Sequence, residues 1–328
     1  MIDKVKAILA ENKVKELSNQ IERILLPLID RDYVLYGLPY YTNIGDTLIW
    51  EGELSFLKKV PYRCLGVCGW DEYPTTPVPK HAIILITGGG YFGDLWRKAW
   101  ENVMKGIQYN KENKIIILPA SIFYEDPILL EKDACYLSDF KNLTICARDK
   151  VSYSIVQQYF RNEVLLVPDM AFCITPDYLQ RWVKPSSNKT LYLKRVDKEL
   201  AYTDISIPEM EIEVHDWPTM EFMTNREKWF ARIVSRIDRL RCFMPFLEKP
   251  LKFFKDWMYY HYYRQMMTSR GVSFISSYKN VYTTRLHVMI LSVILGKEVF
   301  IIDNTYGKLS SFYHTWLEDC KDVTLWRE

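Results

Sequence analysis

The stretch His81-Ala82-Ile83-Ile84-Leu85-Ile86-Thr87-Gly88-Gly89-Gly90 decides the fold class. Its continuous apolar run is typical of a strand buried on both faces of a parallel sheet. The glycines are informative because only 13 of the 328 residues are glycine, below the usual share of roughly 7%. A backbone without side chains can approach a phosphate or a sugar closely and offer its amides. The run therefore predicts a strand that ends in a ligand-facing loop of Gly88, Gly89 and Gly90; a turn needed only for packing is the alternative.

Similar apolar runs alternate with helical patterns through the first half of the chain, which predicts a doubly wound parallel sheet. The predicted strands there are 33–36, 81–86, 115–118, 143–147 and 164–167, and the first predicted helices are 4–29 and 46–59. The pattern lapses around 176–188 and then resumes on a smaller scale. The predicted strands of this second part are 190–193, 211–214, 272–275, 281–283 and 299–302, with helices near 226–240, 250–269 and 286–295.

These two parts predict an α/β protein made of two Rossmann-like domains that face a cleft. We expect an N-terminal domain over residues 1–180 and a C-terminal domain over residues 189–328. Ligands of such folds bind at the carboxyl ends of the strands. Residues that directly follow predicted strands are therefore the candidates for the functional site.

The composition excludes several classes of protein. With 43 basic and 41 acidic residues the net charge is only +2, which argues against a nucleic-acid binder. The seven cysteines are an odd number in a long chain, so we expect reduced cysteines in a cytoplasmic protein. Neither a signal peptide nor an apolar run long enough to span a membrane is recognisable. No Cys, His or acidic cluster has the spacing of a metal site, and we expect no metal.

The segment Thr42-Asn43-Ile44-Gly45-Asp46 lies between a predicted strand and a predicted helix. Gly45 permits a tight turn, and Asn43 or Asp46 can cap the helix that follows. Exposed amides at a helix N-terminus also suit an anionic ligand. A capped loop without a role in binding is the alternative.

Charged residues follow three further predicted strands. Arg148 is suited to gripping a phosphate or a carboxylate with two parallel hydrogen bonds, although a surface pair with Asp149 is the alternative. Asp169 and the pair Lys194-Arg195 also stand directly after predicted strands. The sequence therefore predicts that these four residues reach the cleft.

The segment Tyr282-Thr283-Thr284-Arg285-Leu286-His287-Val288 is the most specific of the candidates. Arg285 and His287 stand at the start of a predicted helix, where the helix dipole disfavours cations. Their placement is reasonable if the side chains and the helix amides share an anion. His287 is also suited to acid–base catalysis because imidazole titrates near neutral pH. A buried structural histidine is the alternative.

Taken together, these segments resemble the polysaccharide pyruvyl transferase family. In the family's order they are Asn43 with Gly45 and Asp46, Gly88 to Gly90, Arg148 with Ser152, Asp169 with Phe172, and Thr284-Arg285-Leu286-His287. They span about residues 33–303, most of the chain. Met170 departs from the family, in which proline is common after the aspartate.

The resemblance implies two domains of the GT-B type and the transfer of a pyruvyl group from phosphoenolpyruvate to a sugar diol. The products would be a cyclic ketal and free phosphate, with no cofactor beyond the donor itself. It implies that Arg285, His287 and Arg148 hold the donor and that His287 transfers a proton or binds phosphate. Asp46 or Asp169 would meet the acceptor hydroxyls. The usual acceptor of the family is a galactose or related hexose in a capsule or exopolysaccharide repeat unit.

One segment, residues 236–270, has eight Lys or Arg residues against three acids, and many aromatic residues lie between them. A basic helix with an aromatic face is typical of an interfacial segment on anionic lipid. The family resemblance favours this interpretation, because such polysaccharide units are commonly assembled on lipid carriers at the cytoplasmic membrane face. The alternative is an insert whose aromatic residues pack on the C-terminal domain.

Two rival functions remain open at this stage. The first is a nucleotide-sugar-dependent glycosyltransferase of the GT-B type, acting in polysaccharide synthesis. The second is a carbohydrate-binding or lipid-binding module without catalytic activity, which would not need Arg285 and His287.

Overall fold

The computed structural model describes residues 2–73, 78–195, 211–303 and 307–326, with side chains from residue 11 onward. Helices and strands alternate along these ranges, as the apolar runs predict. The strands are β1 (Tyr33–Leu38), β2 (Cys64–Gly69), β3 (Ile83–Ile86), β4 (Gly89–Gly93), β5 (Ile115–Phe123), β6 (Leu143–Ala147), β7 (Glu163–Leu166), β8 (Thr190–Leu193), β9 (Ile212–His215), β10 (Asn280–Thr283), β11 (Val299–Ile301) and β12 (Val323–Leu325). The helices are α1 (Ile2–Leu25), α2 (Ile44–Leu57), α3 (Arg97–Tyr109), α4 (Pro127–Leu137), α5 (Lys150–Tyr159), α6 (Pro176–Gln180), α7 (Pro218–Glu221), α8 (Asn225–Phe243), α9 (Glu248–Met258), α10 (Arg264–Ser276), α11 (Leu286–Ile294) and α12 (Lys308–Trp316).

The strands form two sheets in which every described pairing is parallel. The first sheet has the order β2-β1-β3-β5-β6-β7, with β4 beside β5, and the second has the order β12-β11-β10-β8-β9. In both sheets the first strand lies between the second strand and the third, counted in chain order. The connections therefore leave in opposite directions at β1/β3 and at β8/β10, which are the topological switch points where doubly wound sheets bind ligands.

The burial of the central strands explains why their sequences are continuously apolar. All residues of β1 and β3 are buried. One hydrophobic cluster contains Leu35 and Ile83 from one face of the first sheet together with Leu191 and Val281 of the second sheet. Another cluster covers the opposite face of the first sheet. Strands with two covered faces leave no solvated side that would require alternating polar residues.

The structure confirms the α/β class with parallel Rossmann-like sheets, whereas the division at residues 180 and 189 and the GT-B arrangement stay predictions. One predicted strand is wrong, because residues 272–275 lie within α10. Val272 and Ile275 are buried and Ser273 and Phe274 only partly so, which is a helical spacing that a four-residue apolar run does not reveal. Strands β2, β4 and β12 were not predicted.

The helical patterns also differ from the structure in detail. The predicted helix at 250–269 is α9 followed by a π-helical turn, Tyr259–Tyr263, and the start of α10. In the described part of the chain, no helix combines the length and the apolarity needed to cross a bilayer.

Candidate active site

A cavity of about 330 Å³ lies where the carboxyl ends of strands from both sheets meet. Its lining includes Thr42 after β1, Gly88 after β3 and Arg148 after β6. The second sheet contributes Arg195 after β8 and Arg285 after β10. The two switch points thus open into one cavity, as expected for doubly wound sheets.

The start of α2 forms one wall of this cavity. Asn43 is the N-cap, and its Oδ1 accepts a hydrogen bond from the Gly45 amide at 2.9 Å. Asp46 Oδ2 accepts hydrogen bonds from Asn43 Nδ2 at 2.7 Å and from the Tyr41 hydroxyl at 2.8 Å. A Cβ on Gly45 would lie 2.7 Å from His287 Nδ1. Glycine is therefore required at position 45, because the start of α2 lies close to the imidazole of His287, which belongs to the second half of the chain.

Arg148 and His287 share a buried carboxylate. Arg148 Nη1 donates to Asp169 Oδ2 at 2.8 Å, and Arg148 Nε donates to Ser121 Oγ at 2.9 Å. His287 Nε2 lies 3.5 Å from the same Asp169 Oδ2. Burial alone would raise the pKa of Asp169, but His287 and Arg148 outweigh burial and hold that pKa below its ordinary value. Asp169 is therefore ionised and lies behind the side chains of Arg148 and His287, rather than lining the cavity.

Arg285 is held in the same way by Asp216. Its Nε donates to Asp216 Oδ1 at 2.5 Å and its Nη2 to Asp216 Oδ2 at 2.6 Å, so the pair is bidentate. Both side chains are buried. Asp216 Oδ1 also accepts the Trp217 amide at 2.7 Å. A planar guanidinium gripped along one edge has a fixed orientation, which pre-organises it for an anion.

The glycines after β3 play different parts. A Cβ on Gly88 would lie 2.3 Å from the Pro119 carbonyl oxygen, so packing against β5 requires this glycine. A Cβ on Gly90 would lie 2.8 Å from Lys308 Nζ and 3.5 Å from Arg148 Nη2. The absence of a side chain at Gly90 therefore leaves room beside two cations. Gly89 and Gly90 begin β4 and are not the loop that the sequence predicts.

A buried acid on α2 forms hydrogen bonds with Thr87 and Gly88, which connect β3 to β4. Glu53 accepts the Gly88 amide at 2.9 Å and the Thr87 hydroxyl at 2.7 Å. Burial raises the pKa of Glu53 to about 8 although both hydrogen bonds act against that rise. With this pKa Glu53 is mostly protonated at neutral pH, so it adds little negative charge near the Gly88 amide.

The lining of the cavity is rich in cations and in aromatic rings. Arg148, Arg195, Arg285 and Lys308 line it together with His287, and among its described lining residues Asp46 is the single acid. The aromatic residues of the lining include Tyr41, Trp70, Tyr73, Tyr91 and Trp96. Such a cavity is suited to a small ligand with two anionic groups beside a second, uncharged ligand.

A sequence profile of the polysaccharide pyruvyl transferases matches residues 43–306. The chain belongs to the polysaccharide pyruvyl transferase family. Membership makes the protein a transferase of polysaccharide synthesis that acts on a saccharide acceptor. The profile covers every residue assigned above to the cavity except Tyr41, Thr42 and Lys308.

Several proteins resemble this pyruvyl transferase family member over most of its length. The putative pyruvyl transferase EpsO of Bacillus subtilis is 33% identical over 301 residues, covering 91% of this chain and 88% of EpsO. Pyruvyl transferase 1 of Schizosaccharomyces pombe is 25% identical over 87% of this chain and 70% of its own. A functionally uncharacterised Klebsiella pneumoniae protein of known crystal structure shares the fold, with a TM-score of 0.60, 18% identity, and coverage of 95% of this chain and 99% of that chain.

Most of the predicted site residues of this pyruvyl transferase meet at the cavity. Those that line it are Asn43, Gly45, Asp46, Gly88, Gly90, Arg148, Arg195, Arg285 and His287. Four others are not in the lining: Gly89, Asp169, Lys194 and Thr284. Thr284 supports the site instead, because its Oγ1 accepts the Arg195 amide at 3.0 Å.

Sequence reasoning did not predict the aromatic residues of the lining as site residues. It also missed Glu53, Asp216 and Lys308. Asp216 directly follows β9. It therefore has the position, directly after a strand, from which the other candidates were chosen. Lys308 is the first residue of α12, and Gly307 before it is the N-cap with a positive φ of 73°. A Gly-Lys pair that follows a predicted strand was therefore the available signal. Glu53 lies inside a helix and offered no such signal.

Proposed function

We propose that this protein transfers the enolpyruvyl group of phosphoenolpyruvate to two hydroxyls of a hexose, forming a pyruvate ketal and inorganic phosphate. The observation that carries the proposal is the convergence of Arg148, Arg195, Arg285, His287 and Lys308 on one cavity of about 330 Å³. In phosphoenolpyruvate the phosphate and the carboxylate are attached to the same carbon. A cluster of oriented guanidinium groups suits both anions.

The reaction requires three proton movements and three changes at one carbon. The methylene carbon gains a proton and becomes the methyl group, which leaves an electron-poor central carbon. That carbon forms two bonds to sugar oxygens and loses its bond to the phosphate oxygen. Of the two hydroxyl protons, one balances the proton gained by the methylene and the other leaves with phosphate.

The residues suit these steps in distinct ways. His287 is within the cavity and is oriented by Asp169, so it is the candidate acid for the methylene carbon. Asp46 is the acidic group of the described lining, and we assign it the role of accepting a hydroxyl proton. Arg285 and Arg148 neutralise the donor and the leaving phosphate.

The acceptor that we propose is a galactose or related hexose of a capsule or exopolysaccharide repeat unit, held on a lipid carrier at the inner face of the membrane. Phe243, Phe246 and Phe253 support the membrane contact, since they are 82%, 80% and 74% exposed. We call the stretch from α8 to α9 that contains them, residues 240–257, the aromatic tip. Apolar side chains exposed to this degree are typical of an interaction surface.

The charges of residues 236–270 are less available than the sequence predicts. Five of the eight cations form ion pairs within the protein: Arg241, Lys252, Lys255, Arg264 and Arg270. The three exposed cations are Arg236, Arg239 and Lys249. Within residues 236–270, these three are the cations most available to anionic lipid.

The test is a transfer assay with two donors. The protein is incubated with phosphoenolpyruvate or with UDP- and GDP-sugars, together with a panel of galactosides and other hexosides. We expect phosphate release in step with a one-pyruvyl mass gain on an acceptor. Release of a nucleotide instead would establish a glycosyltransferase, and binding of sugar without either release would establish a binding module.

A further inference from the structure

A second cavity of about 520 Å³ adjoins the donor cavity, and Tyr41 and Thr42 line both. One wall of this second cavity is a single face of α8, and the other wall is formed by Tyr40 and the π-helical turn. Phe243 of the aromatic tip also lines this cavity. The second cavity thus extends from residues that it shares with the donor cavity to the aromatic tip.

The inner wall of the second cavity is a fixed aromatic platform. The rings of Tyr40 and Tyr259 stack with centroids 4.0 Å apart and planes at 6°. Phe230 meets Tyr259 edge-on at 5.1 Å and Tyr263 in a tilted contact at 4.9 Å. These four rings are at most 8% exposed, so only a small part of the platform is accessible from the cavity. Because the rings hold one another in place, contact with that part costs little side-chain freedom. The C–H groups of a sugar are complementary to such an apolar surface.

The face of α8 that lines the second cavity also carries a row of polar side chains. Ser235, Asp238 and Arg239 are spaced three and four residues apart, so α8 presents them on one side. Asp238 Oδ1 accepts hydrogen bonds from Lys255 at 2.9 Å and from Arg241 at 3.3 Å, whereas Oδ2 has no hydrogen-bond partner among the described residues. The side chain of Asp238 is 42% exposed. This row therefore offers both donors and an acceptor beside the aromatic platform.

We propose that the second cavity binds the saccharide acceptor, with one pyranose ring against the platform and its hydroxyls against Ser235, Asp238 and Arg239. This inference rests on the proposed function, since the sugar hydroxyls must reach the carbon held in the donor cavity. The shared Tyr41 provides that continuity, because its hydroxyl donates to Asp46 Oδ2 at 2.8 Å. A glycan that fills both cavities points its carrier end toward Phe243 and the aromatic tip.

The experiment blocks the cavity without changing the donor site. Ser235→Trp places an indole in the second cavity, and Ala231→Trp does so one turn earlier on α8. The matched control is Ser154→Trp, an exposed serine on α5 that lines neither cavity. Circular dichroism confirms that each variant is folded. Binding is measured with no donor present, on an array of oligosaccharides of the common bacterial hexoses.

We expect the unchanged protein to bind at least one glycan of the array. Ser235→Trp and Ala231→Trp should weaken that binding at least tenfold, while Ser154→Trp stays within twofold. In the transfer assay the acceptor KM should rise at least tenfold in Ser235→Trp and the phosphoenolpyruvate KM should stay within twofold.

The outcomes separate this inference from the proposed function. Glycan binding that is lost in Ser235→Trp, without any phosphate release by the unchanged protein, supports the acceptor site and overturns pyruvyl transfer from phosphoenolpyruvate. Transfer activity with an acceptor KM unaffected by Ser235→Trp overturns the acceptor site and leaves the function standing. Failure of the unchanged protein to bind any glycan also overturns the acceptor site.

Discussion

The donor cavity and the helices of residues 236–270 use the same residue types for opposite purposes. In the donor cavity, Arg148 and Arg285 are gripped from behind by Asp169 and Asp216, and both guanidinium groups line the cavity. In the helical segment, Lys255 and Arg241 both grip Glu72, which follows β2. The ion pairs of the donor cavity orient cations toward a ligand. The ion pairs of the helical segment attach α8 and α9 to the loop after β2.

The difference shows that the position of a cation in the fold, rather than the local charge, decides its role. Residues at the carboxyl ends of parallel strands converge on one edge of a sheet, so their side chains meet a common ligand. Cations within long helices meet whichever carboxylates the neighbouring elements present. Most of the Lys and Arg residues in 236–270 therefore form ion pairs within the protein.

The largest effect should come from the donor cavity. We expect Arg285→Ala to lower kcat/KM for the donor by about 10²–10³-fold, because an oriented charge that faces the reacting anion is lost. Arg285→Lys, which keeps the charge without the planar fork, should lose less. Phosphate release measured by steady-state kinetics checks both variants.

A control is needed because Arg285→Ala leaves Asp216 buried without its bidentate partner. The double variant Arg285→Ala with Asp216→Asn removes that buried charge. Recovery of stability without recovery of activity supports a donor-binding role for Arg285. Activity within threefold of the unchanged protein in either variant would contradict it.

The next effect concerns the helical segment and should appear in stability. Lys255 Nζ donates to Glu72 Oε1 and to Asp238 Oδ1, each at 2.9 Å, and its side chain is 7% exposed. Burial acts to raise the pKa of Glu72, but Lys255 and Arg241 outweigh it and lower that pKa. Lys255→Met should therefore cost about 2–4 kcal/mol of unfolding free energy, measured by urea denaturation.

Its matched control is Lys249→Met, an exposed lysine on the same helix without an ion pair among the described residues. We expect that variant to change the unfolding free energy by less than about 0.5 kcal/mol. The donor KM should stay within twofold in Lys255→Met, because the donor cavity does not include that residue. Equal stability losses in the two variants would erase the distinction between the regions.

The extent to which sequence reasoning succeeds follows from the same contrast. Strands β1, β3, β5 and β6 were predictable because burial on both faces makes them apolar throughout. Edge strand β2 was missed, since its residues from Cys64 to Val67 are exposed or half-buried. Arg148, Arg285 and His287 were found through their places after strands. Asp216, the carboxylate partner of Arg285, was overlooked although it stands directly after β9. The pairing itself leaves no local pattern because the two segments are distant in the sequence.

A smaller effect should come from the acid beneath the glycine turn. The pKa of Glu53 is raised by burial to about 8 from an ordinary value of 4.5. Between these two pH values the folded protein holds a proton that the unfolded chain has released, so Glu53 makes stability fall as pH rises through that window. Glu53→Gln keeps both hydrogen bonds and removes the titration. Its Tm should exceed that of the unchanged protein by about 4 °C or more at pH 9 and match it at pH 5. Tm curves that run parallel from pH 5 to pH 9 would refute this account.

The smallest expected effect compares two lysines three residues apart in the wider helical segment, Lys249 and Lys252. Lys249 is exposed, whereas Lys252 donates to Asp256 Oδ2 at 2.5 Å and to the Val67 carbonyl at 3.0 Å. If the aromatic tip rests on anionic lipid, Lys249→Gln should weaken binding to phosphatidylserine-containing vesicles about fivefold, since one cation at such a surface contributes about 1 kcal/mol. Lys252→Gln should leave vesicle binding within twofold of the unchanged protein, because Lys252 already forms an ion pair with Asp256. Co-sedimentation with anionic and neutral vesicles measures both. Equal losses in the two variants would mean that the ion pair opens at the membrane, and no binding to anionic vesicles by the unchanged protein would remove the membrane contact altogether.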